Sequence, residues 1–135
     1  MKLEQLHPNC IHAVWGEVSP MLDAALKTGA GEYNVDQLKV MLVQGQQQLL
    51  VISEDGKIQG AVTVVFENYP NDRIAFVTTM GGCGICRTDM WDSFVQWARS
   101  LGATKMRAYS QESAARLWRQ KFGVEQRYLI VEKSL

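Results

Sequence analysis

The sequence is poor in the residues that most often announce a chemistry. It holds three cysteines, two histidines and three prolines, and its net charge is zero. An odd cysteine count argues against a closed disulfide framework. The pair Cys83/Cys86 would have to take two further zinc ligands from Cys10, His7 and His12, all near the N-terminus, and one CxxC without a second does not specify a zinc site. A strand–CxxC–helix order also builds thioredoxin-like redox sites. Those place a cis-proline later in the chain, whereas Pro8, Pro20 and Pro70 all precede Cys83. Thiol redox chemistry is therefore the third-ranked reading. The longest clean apolar run, Leu49-Leu50-Val51-Ile52, is far short of the ~20 residues that cross a bilayer. Met1 to Gln5 carries no signal-peptide hydrophobic region, so the expected location is cytoplasmic. No basic run is interleaved with aromatics, and nucleic acid is not an expected partner.

What is present suits one ordinary globular domain spanning residues 1–135, with 47% hydrophobic and 21% charged residues. Charge is unevenly placed. Residues 1–72 hold 4 Lys/Arg and 9 Asp/Glu, a balance of −5, so residues 73–135 hold 10 and 5, a balance of +5. A basic second half suits an anionic ligand, although a solvated face with a chance imbalance is the competing account.

Periodicity supplies the elements. Lys2 to Leu6 reads as a short strand. Ile11, Val14, Trp15, Val18, Met21, Leu22, Ala25 and Leu26 keep one helical face apolar. Pro20 interrupts that face, so Ser19-Pro20 predicts a fresh helix start, giving two short helices or one kinked helix. Trp15 reads as a core anchor. Asn34 and Gln37 have capping-box spacing ahead of Leu38, Met41 and Leu42, with Gly45 closing that helix. Strands are expected over Gln47–Ser53 and Ile58–Glu67, joined by a hairpin turn at Asp55-Gly56, and over Arg73–Thr79 after a turn at 68–72. Thr104 to Tyr109 should be a strand parallel to 74–79 by a right-handed crossover. Glu112 to Phe122 is a helix stopped by Gly123, and Tyr128 to Glu132 a final strand.

The chain is organised around Arg73–Leu101: a strand, a glycine-rich turn (Gly81-Gly82-Cys83-Gly84-Ile85-Cys86-Arg87), then a helix. Glycines permit positive φ and close backbone approach, and a helix N-terminus offers free amides and partial positive charge. Together they can hold a phosphate, though a purely structural turn explains the glycines equally well.

This stretch resembles the cofactor-binding motif of the GNAT N-acetyltransferase superfamily, R/Q-x-x-G-x-G/A. Gly82, Gly84 and Ile85 stand where that family commonly has Gly, Gly and Ile. Gly81 replaces the usual Arg or Gln, and Cys86 the last Gly or Ala. The phrase Trp97-Ala98-Arg99-Ser100-Leu101-Gly102-Ala103 also resembles the family, as does the element order along nearly the whole chain. The resemblance implies an α/β (α+β) GNAT fold. Its mixed central sheet would have an antiparallel N-terminal meander and a parallel splayed strand pair, with helices on both faces. It further implies that acetyl-CoA is bound by unpaired backbone groups of Phe76, Val77 and Thr78 and by Gly81, Gly82, Cys83, Gly84, Ile85, Cys86 and Arg87.

Scattered residues, among them Trp15, Gly31-Glu32-Tyr33, Tyr69-Pro70 and the ending Leu129 to Leu135, are similar to small GNAT-like proteins of tailed bacteriophages, of the internal virion type. That likeness implies a location in the cytoplasm of a bacterial host or in the virion.

The expected chemistry is incomplete. Many GNAT enzymes take a proton from the acceptor amine with a glutamate on the strand matching 73–79, but that strand has no carboxylate; Glu67 and Asp72 are the nearest acids. Arg119 stands where a tyrosine often protonates the leaving thiolate. Tyr109 is the one phenol placed to substitute, and a packing role explains it as well. Two functions remain open: an acetyl-CoA-dependent N-acetyltransferase acting on an unidentified amine, or a non-catalytic GNAT-shaped protein packed against other phage virion components.

Overall fold

The computed structural model describes residues 1–135. Five strands form one sheet in the order β1-β2-β3-β4-β5. They are β1 (Lys2–Leu6), β2 (Gln48–Glu54), β3 (Lys57–Asn68), β4 (Arg73–Gly82) and β5 (Lys105–Ala108). The first four pair antiparallel, and β4 pairs with β5 in parallel. Helices α1 (Ile11–Leu26) and α2 (Val35–Val43) precede the meander; α3 (Thr88–Ser100) links β4 to β5, and α4 (Glu112–Phe122) follows. This is the mixed-sheet α/β architecture expected from the sequence.

Strand β2 explains why both faces are covered. Leu49 and Val51 point to one side, Leu50 and Ile52 to the other, and all four are buried, the pattern of a strand between two layers. On the first side lie Ile11, Val18 and Leu22 of α1 with Leu38 and Leu42 of α2. On the second, Met90, Phe94 and Ala98 of α3 repeat every four residues and bury one stripe against the sheet. The β2–β3 hairpin turns on Asp55 and Gly56, with φ of 51° and 76°, the left-handed pair that matches strand twist. Asn34 Oδ1 accepts from the Gln37 amide and Gln37 Oε1 accepts from the Asn34 amide, both at 2.9 Å. That is the capping box foreseen from the spacing.

Four expectations need correcting. Helix α1 runs unbroken from Ile11 to Leu26 with Pro20 inside it. The apolar stripe on both sides of the proline is anchored to the sheet, and that burial outweighs one lost backbone hydrogen bond. Trp15 is half-buried at the margin of its cluster, with the Lys39 ammonium 5.8 Å from its ring centre. Strand β4 does not stop at Thr79: Gly81 and Gly82 are opposite Ala61 and Gly60 in the β3–β4 ladder. Finally, Tyr128–Glu132 forms no strand. After Gly123 (φ 68°) closes α4, residues 124–135 have no regular structure.

Phe94, 2% exposed, is the largest side chain of the α3 stripe. Phe94→Ala is expected to lower unfolding free energy by about 3–5 kcal/mol, measured by urea denaturation, whereas Val43→Ala on the exposed face of α2 should change it by less than about 0.5 kcal/mol.

Candidate cofactor site

The site begins where β4 and β5 part. Their ladder holds four pairs, from Ile74 opposite Lys105 to Val77 opposite Ala108. Beyond it β4 continues to Gly82, while the chain leaves Ala108 for α4. On the other side of β4, Thr63 is opposite Thr79 and Val64 opposite Val77. Thr78 is thus one residue too many for its partner strand, a β-bulge. A bulge bends its strand and raises the local twist, here at the end of the β5 ladder. The expected set of unpaired residues changes accordingly: Phe76 and Val77 stand within the ladder, and only Thr78 of the three lies beyond it.

Both faces of the parting are occupied by aromatic groups. On the α1 side the Tyr109 ring meets Phe76 edge-on, centroids 4.8 Å apart. On the α3 side Trp91 stacks on Phe122 at 4.3 Å and meets Trp118 edge-on at 5.8 Å. Val77, Met80, Met106 and Trp118 border a space there that is too small for a water molecule.

The glycines have a different rationale from the one the sequence suggested. A Cβ on Gly81 would stand 2.3 Å from the Met21 carbonyl oxygen of α1, and one on Gly82 (φ 77°) 2.3 Å from that of Gln59. These two are small because the protein itself closes on them. Gly84 (φ 105°) is the loop glycine, and its missing side chain faces Ile52 and Met1. Ile85 is buried in the α3-side core, while Cys83 is exposed and Cys86 half-buried, both as free thiols.

Beside this turn lies an open depression of about 700 Å³, bordered by Met1, Cys83, Gly84, Cys86, Arg87, Thr88, Asp89 and Lys121. Arg87 is the N-cap of α3 and gives it no side-chain cap; the Met90 amide donates to Asp89 Oδ1 at 3.1 Å, which leaves the Thr88 and Asp89 amides of the first turn for an anion. Lys121 reaches in from α4 and donates to the Cys86 carbonyl oxygen at 3.0 Å. Arg87 is engaged by its neighbour: Nε donates to Asp89 Oδ1 at 3.0 Å and Nη2 to Oδ2 at 2.8 Å. This pairing raises the pKa of Arg87 and holds the Asp89 carboxyl below the usual carboxylate range.

The acids that flank β4 in sequence, Glu67 and Asp72, lie away from the depression. Glu67 is opposite Ile74 near the start of β4 and accepts the Tyr69 hydroxyl at 3.1 Å, which raises the Tyr69 pKa. Asp72 accepts from Lys105 at 2.7 Å and from Thr104 at 3.0 Å, and these bonds lower its pKa. Arg119 is exposed on α4. Tyr109 is 67% exposed beside the mouth of the gap.

Sequence reading missed two contributions. Lys121 gave no signal, because only the path of α4 brings it to the turn. A polar chain also lies under the bulge: Thr78 Oγ1 donates to Gln47 Oε1 at 2.6 Å, Thr63 Oγ1 is 2.7 Å from Thr78 Oγ1, and Gln47 Nε2 donates to Tyr33 Oη at 3.4 Å. A threonine facing inward looks like any strand threonine until the register is known.

No family model matches the sequence, and no curated protein matches it. Solved structures do match in fold. The chain superposes on a ribosomal-protein-alanine N-acetyltransferase from Brucella melitensis biovar Abortus 2308 with TM-score 0.70 and 15% identity, covering 99% of this chain and 100% of that one. An aminoglycoside acetyltransferase from an uncultured soil metagenomic sample, in complex with sisomicin, gives TM-score 0.70 and 14% identity, covering 99% and 95%. A predicted acetyltransferase from Clostridium acetobutylicum, solved with acetyl-CoA, gives 0.65 and 14%, covering 98% and 95%. The chain therefore has the GNAT acetyltransferase fold.

Asp89 both occupies Arg87 and opposes an anion at the start of α3. If a CoA phosphate sits at the start of α3, Asp89→Asn should tighten its binding roughly two- to fivefold, read by isothermal titration calorimetry; unchanged or weaker binding would count against a phosphate at Arg87. Asp72 and Asp89 have lowered folded-state pKa values. Their contribution to stability is complete above the unfolded carboxylate value of about 3.9 and is lost as pH falls through the lower folded ones. The double variant Asp72→Asn/Asp89→Asn should therefore lose less Tm between pH 5 and pH 2, to order of magnitude, than the natural chain.

Proposed function

We propose that this protein is an acetyl-CoA-dependent N-acetyltransferase. The observation that carries the reading is the parting of β4 from β5 at the Thr78 bulge, next to a depression that joins the start of α3 to Arg87 and Lys121. The donors there suit the anionic end of a CoA: two cationic side chains, helix-start amides and the loop around Gly84. Bound acetyl-CoA supplies an acetyl group activated as a thioester. Arg87, Lys121 and the Thr88 and Asp89 amides at the start of α3 would hold its phosphates, and the backbone from Thr78 to Gly82 would border its arm.

The arm's route passes the Phe76–Tyr109 contact. Because Tyr109 is 67% exposed, its ring can leave Phe76 without opening the core. Tyr109 is also the phenol nearest the gap and is assigned the proton returned to the sulfur side. With no carboxylate on β4, rate would come chiefly from alignment of the acceptor amine with the thioester.

A second reading is supported by the same absence and by the aromatic packing of Trp91, Trp118 and Phe122. It is a GNAT-shaped component without turnover, of the phage virion kind that the sequence resembles.

Thermal shift with acetyl-CoA and CoA separates the two. The first reading expects a rising Tm, equivalent to about 2.7 kcal/mol at a hundredfold excess over Kd, and loss of the shift in Arg87→Ala/Lys121→Ala. A flat Tm at millimolar CoA sinks it. If turnover is found, Tyr109→Phe should lower kcat by roughly a hundredfold with little change in KM.

A further inference from the structure

Three sulfur-bearing side chains border the depression beside the glycine turn: Met1, Cys83 and Cys86. Acetyl transfer as proposed above uses the backbone of this turn and none of its sulfur. Both cysteines are free thiols, Cys83 exposed and Cys86 half-buried. The remaining cysteine, Cys10, stands apart as the N-cap of α1.

The loop between the two thiols is held at its entry, middle and exit. The Cys83 amide donates to the Gln59 carbonyl oxygen at 2.9 Å, which ties the entry to β3. Ile85 is 9% exposed and packs into the α3-side core. The Arg87 amide donates to the Gly84 carbonyl oxygen at 3.0 Å, and Lys121 Nζ to that of Cys86 at 3.0 Å. With Ile85 turned inward, the cysteines on either side of the Gly84-Ile85 pair open on the same depression. Gly84 admits the third sulfur. A Cβ there would stand 3.2 Å from Met1 Sδ, so the thioether lies against the middle of the loop only because residue 84 has no side chain.

C-x2-C is the spacing with which one loop commonly grips a single metal ion through two thiolates. The other donors decide which ion. No group of three or more His, Cys, Asp and Glu side chains is placed to hold a metal, so the ligand set of a structural zinc is absent. Asp89, the carboxylate at the depression, is engaged by Arg87 through both oxygens. What is left is two thiols and a thioether, and so soft a set selects cuprous copper.

We propose that Met1, Cys83 and Cys86 form a binding site for a cuprous ion. The thiols bind as thiolates and release their protons. Two thiolates around one monovalent cation leave an excess negative charge. The Lys121 ammonium at the Cys86 carbonyl and the positive end of α3 offset that charge. The site stands independently of the cofactor reading, because a phosphate has no need of the sulfurs.

Copper alone tests it. The full chain, reduced and kept free of oxygen, is titrated into the coloured cuprous complex of bicinchoninate. Each chain should withdraw one ion, in the natural sequence and in Cys10→Ser alike. Cys83→Ser, at an exposed position, should abolish the withdrawal with unchanged far-ultraviolet circular dichroism, and so should Cys86→Ser. X-ray absorption at the copper edge should show a first shell of three sulfurs without nitrogen or oxygen. Zinc offered as its pyridylazoresorcinol complex should stay with that indicator. No withdrawal of copper overturns the proposal, and withdrawal that survives Cys83→Ser/Cys86→Ser shows an adventitious ion only, which also overturns it. A two-sulfur shell removes Met1 and overturns the three-sulfur site, and zinc taken from the indicator overturns selection for a soft ion. Because no CoA is present, failure here leaves the acetyltransferase reading untouched.

Discussion

One extra residue in β4 sets the geometry on which the site depends. Thr78 has no partner in β3, so the strand bends there, and the bend coincides with the last pair of the β4–β5 ladder. A regular β4 would let the two strands continue side by side and leave no gap. The bulge is held from beneath by Gln47 and Thr63, two buried polar side chains that both bond the Thr78 hydroxyl, while Gln47 also donates to Tyr33. Hydrogen bonds in such a buried cluster are costly to leave unmade, so the irregularity is fixed rather than tolerated. The buried polar chain and the bent strand are one device.

Around that bend the molecule balances recognition against self-complementation. The helix start and two cations favour an anion, while Asp89 satisfies one cation in advance and offsets its charge. The glycines contribute indirectly. Gly81 and Gly82 allow α1 and β3 to approach the end of β4 closely, and that approach places the turn over the sheet. Their absence of side chains is thus spent on packing, and a ligand benefits only from the position of the turn that results.

Much of this was legible in the sequence, for physical reasons that differ between elements. The Asn34/Gln37 box, the Asp55-Gly56 turn and the Gly123 stop are local: each is decided by residues within four positions, and each formed as read. The order of strands and helices was legible because both layers imprint their period. Pro20 looks like a break because local propensity carries no record of the anchoring of Val18 and Leu22 on either side. Gly81 and Gly82 were read as turn residues because glycine in a strand looks the same as glycine in a loop until the neighbour that crowds it is known. Lys121 and the Gln47–Thr78 bond join residues 35 and 31 positions apart, and no pattern within one element encodes them. The tail failed for the opposite reason: its strand character is plain, but pairing depends on whether an edge is within reach.

The shortness of β5 also orders the assembly of the molecule. The β2–β3–β4 meander closes through neighbouring hairpins, so its contacts cost little loop entropy. Docking β5 must close the long connection through α3, for a reward of four ladder positions. Among the α4 residues, Trp118 alone is buried. The β5–α4 unit is therefore the last part to consolidate and the first to loosen, whereas the two packed layers around β2 and β3 persist through such openings. The border of the gap is its most yielding wall, which lets the gap breathe without melting the core.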